Sequence, residues 1–135
     1  MNKNFIIFFS FFLMIVISTV AFCSINPFKT PKFEEKEKYR ENDYVKAYCN
    51  GQIEYRLPDK TRVDCLTEEY AIEFDWAPKW AEGIGQSLYY AEMTDKKPAV
   101  ALILKNPKEK RFVERIKRAH QGITIFEIKA KDYKL

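Results

Sequence analysis

Three carboxylates sit at positions where strand-like alternation would aim them together. Asp64 lies between Val63 and Cys65, Glu73 lies between Ile72 and Phe74, and Glu54 lies in the alternating run 52–57. If their three strands are neighbours, the acids meet on one sheet face. Like charges that close call for a cation, and an all-oxygen donor set favours Mg²⁺ or Mn²⁺. Such an ion orients water and offsets charge on a phosphoryl group. His120 is the only histidine, so no Cys/His zinc spacing exists. Taken alone, the acids would equally suit the wet side of a sheet.

The segment after them adds specificity. Lys79, Glu82, Gln86 and Tyr90 are spaced by three, four and four residues and share one helix face, with Trp80, Ile84, Leu88 and Ala91 on the other. Gly83 and Gly85 weaken a helix by about 1 kcal/mol each relative to alanine, which points to a close approach of some kind. Further on, Arg111, Arg115 and Arg118, extended by Lys108, line one face of a second helix that is expected to contact phosphates. That row also fits an ordinary solvated face. His120 is expected to cap or pack at the helix end.

Elements that could hold these residues follow from the pattern. Pro31 should open a charged helix running to about Tyr48 and ending at Asn50-Gly51. Residues 52–57 and 62–66 read as a hairpin around Pro58-Asp59-Lys60-Thr61. Residues 70–74 read as a third strand, with Ala71, Glu73 and Asp75 on one face. A helix from Pro78 to about Glu92 follows, then a buried strand 99–104, a helix from Pro107 to about Gln121, and a strand 123–128. This order predicts an α/β domain with a mixed central sheet flanked by helices.

The chain has 135 residues and a formal net charge of +4, compatible with an anionic partner but not diagnostic of one. Residues 5–22 form an apolar run behind Lys3, and residues 1–23 read as a signal peptide or membrane anchor, with small residues preceding a cleavage position after Ala21. The domain is thus expected to be exported or tethered to a membrane. Residues 24–32 read as a linker and 33–135 as one domain. Cys49 and Cys65 would pair in an oxidising compartment and remain thiols in a reducing one.

The ordered set Arg62-Val63-Asp64, Ala71-Ile72-Glu73-Phe74-Asp75 and Gly85-Gln86-Ser87-Leu88-Tyr89-Tyr90 resembles the PD-(D/E)xK, or restriction-endonuclease-like, nuclease superfamily. Gln86-x-x-x-Tyr90 is similar to the QxxxY motif of its RecB-like and Cas4-like branches. The resemblance implies a restriction-endonuclease-like core in αβββαβαβ order and Mg²⁺-dependent cleavage of DNA, without a small-molecule cofactor. It implies Glu54, Asp64 and Glu73 as metal ligands, and Gln86 and Tyr90 as residues steadying the substrate strand. Asp75 stands where the motif has lysine, so the resemblance implies a lysine relocated to Lys79. A domain that keeps the fold and binds nucleic acid or protein without cleaving it is the alternative.

Overall fold

The computed structural model describes residues 26–134. The apolar segment 5–22, its cleavage positions and Cys23 lie outside the described residues. Among those described, no helix is long and apolar enough to cross a membrane.

Five strands form one mixed sheet: β1 (Gln52–Arg56), β2 (Arg62–Leu66), β3 (Tyr70–Trp76), β4 (Lys97–Leu104) and β5 (Thr124–Lys129), in that spatial order. The first three run antiparallel, while β3, β4 and β5 run parallel. Parallel neighbours need crossovers, supplied by α2 (Trp80–Thr94) and α3 (Lys110–Ala119). Both helices start behind a single 3₁₀ turn, Ala77–Lys79 and Pro107–Glu109, each carrying a proline where no amide donor is needed.

The helices make a three-layer arrangement. On one face, α1 (Glu41–Tyr48) packs Tyr44 and Val45 with Ile72, Phe74, Ala99, Ala101 and Ile103. On the other, α2 and α3 cover Val100, Leu102 and Leu104 with Trp80, Ile84, Leu88, Phe112, Val113 and Ile116. The strand 97–104 is buried from Ala99 onward, as expected for a central strand.

The first helix is shorter than the sequence predicts: it starts at Glu41, not Pro31. Residues 34–38 are Glu-Glu-Lys-Glu-Lys and offer no apolar stripe to bury, and burial supplies most of a short helix's stability. Asp43 starts the helix, accepting from the Arg40 amide at 2.8 Å and pairing with Lys36 at 2.6 Å. Phe33, outside the helix, packs on Tyr39, Tyr44 and Tyr48. Part of the segment read as a linker is bound to the domain. Phe28 packs on Tyr48, Phe74 and Phe126 and bridges to Cys49.

Cys49 and Cys65 form a disulfide with Cα atoms 5.7 Å apart. It ties the end of α1 to β2, one residue from Asp64.

Candidate active site

Two strands deliver the buried acids. Backbone pairing of β2 with β3 is confined to Cys65↔Ile72 and Leu66↔Ala71. Beyond it, the Asp64 carboxylate takes over the role of a backbone acceptor and receives the Phe74 amide at 2.9 Å. Strand alternation then aims Glu73 and Asp75 toward α2, where they are 7% and 4% exposed. One oxygen of each, Glu73 Oε2 and Asp75 Oδ2, is buried without a hydrogen-bond partner among the described residues. Gly83 makes the approach of α2 to Asp75 feasible: a Cβ there would stand 2.9 Å from Asp75 Oδ2.

These acids line a single cleft with Glu41, Asn42, Glu54, Lys79, Glu82 and Gln86. Burial, followed by the charges of Asp64 and Asp75, pushes the Glu73 carboxyl up to about 9. Burial, followed by the Glu41 charge, pushes Asp75 up to about 7 against the pull of Lys79. Burial raises Asp64 to about 6, opposed by the Phe74 amide. All three shifts have the same physical meaning: negative charge is crowded into a place that water solvates poorly.

Lys79 stands at the rim, half exposed, with Nζ 3.2 Å from Glu41 Oε1 and 3.8 Å from Asp75 Oδ1. The hydrogen bond that Lys79 donates to Glu41 leads in holding its ammonium protonated. Lys79 therefore reaches the acids at the mouth of the cleft. Gln86 lines the cleft as well. Tyr90 takes another position: it is buried with Leu57, Val63 and Ala71, its phenol pushed up by burial and then by the Glu73 charge. Only 5% of it is exposed, which leaves little surface for a substrate strand. Of the two glycines in α2, Gly83 explains a close approach, whereas a side chain at Gly85 would meet nothing within 4 Å.

Glu54 lies at the outer edge of the cleft, its carboxylate 3.1 Å from Arg62 Nη1. Arg111, Arg115 and Arg118 are exposed on α3 and absent from the cleft lining. Arg111 lies over Phe112, and Arg115 over Phe112 and Trp80, so part of that row covers apolar rings. His120 accepts the Gly122 amide at the helix end, the local role expected of it.

Among the described residues, no three acidic, histidine or cysteine side chains are close enough to make a metal cage. Mg²⁺ seldom uses one: it binds one or two carboxylates and keeps several waters. The orphaned oxygens of Glu73 and Asp75 and the mutual repulsion of the acids make a donor set whose chemistry would fit such a hard cation.

Glu41 and Asn42 are missing from the sequence-derived set. Glu41 belongs to a run of mixed charge that nothing in the sequence distinguishes, and only the packing of α1 beside β3 brings it to Lys79. Compared with known proteins, the chain matches no protein-family model, no curated protein and no solved structure.

Proposed function

We propose that this domain is a divalent-metal-dependent nuclease that hydrolyses phosphodiester bonds in DNA. The observation that carries the reading is the meeting of Asp64, Glu73 and Lys79 in one cleft, with a buried carboxylate oxygen left unpartnered among the described residues. The αβββαβαβ order around a mixed five-stranded sheet agrees with the resemblance to the PD-(D/E)xK superfamily, and that resemblance supports a restriction-endonuclease-like core.

A bound Mg²⁺ would supply an activated water and balance charge developing on the phosphoryl oxygens. Asp64 and Glu73 would hold the ion, and Glu54 stands at the edge to accept through water. Lys79, kept charged by Glu41, is positioned to orient the nucleophile or stabilise the transition-state oxyanion. Gln86 presents its amide to the cleft and to whatever strand enters it.

Asp75 in the usual lysine position favours a second reading, a domain that binds nucleic acid without cutting it. One experiment separates the two. Full-length protein is incubated with linear and single-stranded DNA and Mg²⁺ or Mn²⁺, beside Asp64→Ala, Glu73→Ala and Lys79→Ala. The nuclease reading expects metal-dependent cleavage that falls at least about a hundredfold in each variant, the scale of losing one electrostatic catalytic group. Binding without cleavage in any metal supports the second reading.

A further inference from the structure

The hairpin beside the cleft carries an arrangement that folding alone disfavours. Arg56 and Arg62 are direct Cα partners across β1 and β2, and both are exposed. Like charges directly opposite one another destabilise a strand pair. Arg62 reaches Glu54, which lines the cleft, and its charge acts on Asp64. Arg56 has no acidic partner among the described residues. Lys60 adds a third cation in the connecting turn. The turn's own acid, Asp59, is already engaged by the Thr61 amide and hydroxyl and by the Tyr89 hydroxyl.

Arg56 and Arg62 thus place two positive charges on the hairpin whose Glu54 lines the acidic cleft, and beyond Glu54 no side-chain anions offset them among the described residues. A nucleic-acid strand entering the cleft brings such anions as phosphates next to the one being attacked. Arginine suits that task because its planar fork can grip two phosphate oxygens at once. We propose that Arg56 and Arg62 form the phosphate subsite of this domain, holding the sugar-phosphate backbone that flanks the cleft. This deepens the nuclease reading and rests on it for the identity of the ligand. It moves backbone contact from the α3 arginines to the β1–β2 hairpin. The pair touches phosphate, so the subsite favours no base sequence.

The test measures binding of full-length protein to a fluorescein-labelled 20-nucleotide oligothymidylate by anisotropy, across a salt series, once with Ca²⁺ and once with EDTA. The double variant Arg56→Ala/Arg62→Ala should lose affinity at least about tenfold, as expected for two charge-assisted contacts. Its log–log salt slope should shrink by about 1.4, at about 0.7 per phosphate released from a single strand. Arg56→Lys/Arg62→Lys should restore the slope while recovering only part of the affinity, since lysine keeps the charge without the fork. Lys110→Ala/Lys117→Ala removes the same formal charge on α3 and should leave the slope near wild type. An unchanged slope in the Arg56→Ala/Arg62→Ala variant would overturn the proposal, as would equal losses in the lysine control. Wild-type protein that fails to bind in either condition overturns it too. Wild-type binding that depends on the arginine pair, without cleavage in Mg²⁺, retains the subsite and removes the catalytic reading.

Discussion

Glu73 and Asp75 each bury an oxygen that no donor satisfies among the described residues, and an ionised carboxylate in that position is costly. The simplest relief without a cation is to keep the proton. Glu73→Gln should therefore raise the melting temperature of metal-free protein at pH 8, because an amide carries no charge to desolvate. Unchanged or lower stability at pH 8 would contradict the crowding described for the cleft. Lys79 acts in the opposite sense. Glu41→Gln removes its closest acidic partner at 3.2 Å, and should reduce catalytic turnover more than substrate affinity if Lys79 works on the reacting centre. Of these residues, Asp64, Glu73 and Lys79 were legible in the sequence from period and spacing. Glu41 was not, because its role exists only where α1 crosses β3.

At the scale of elements, α2 joins the site to the core. Its two glycines look alike in sequence and differ in space. Gly85→Ala should stabilise the protein by about 0.5–1 kcal/mol, the usual gain in an exposed helix interior. Gly83→Ala should fail to gain this and should lower stability, since its methyl would meet Asp75 Oδ2 at 2.9 Å and Val100 Cγ1 at 3.3 Å. Paired denaturant titrations read both outcomes, and a stabilising Gly83→Ala would remove the close-approach argument. The disulfide performs the matching task for α1. Replacing both Cys49 and Cys65 by alanine should cost about 3 kcal/mol, the scale for a loop of about 15 residues. Because α1 carries Glu41 and Asn42 to the cleft, the proposed metal-dependent cleavage should fall in reducing buffer before the protein unfolds.

The pH response belongs to the whole molecule. Asp64, Asp75 and Glu73, raised to about 6, 7 and 9, keep protons in the folded state that an unfolded chain releases near pH 4. The folded state then binds more protons than the unfolded one, so stability must fall as pH rises from about 4 toward 9. Thermal melts of metal-free protein from pH 5 to 9 should show a declining midpoint. Mg²⁺ should recover more of it at pH 8 than at pH 5, because a cation binds the deprotonated acids and stabilises the state that holds it. A midpoint that rises with pH would mean that the acids are solvated or paired.

By itself, the sequence determined which strands and helices form and which residues the central ones present. Period-two alternation set the direction of Glu73 and Asp75. The 3.6-residue period placed Glu82 and Gln86 along α2 with Lys79 in the turn just before it, and prolines and turn residues marked most boundaries. The mixed sheet flanked by helices followed from their order. Tertiary structure decided the rest. It shortened α1 to the part that has a core to cover, and it buried Tyr90 beneath the site rather than exposing it. It left the α3 arginines outside the cleft and brought Arg62 beside Glu54. The physical reason is range: periodicity and turn chemistry act over a few residues, whereas the cleft joins side chains from Glu41 to Gln86 that only the crossing of α1, β3 and α2 brings within a few ångströms. Three acids that alternation alone would leave on the wet side of a sheet instead line one cleft, because α1 and α2 pack beside the place where β2 and β3 stop pairing.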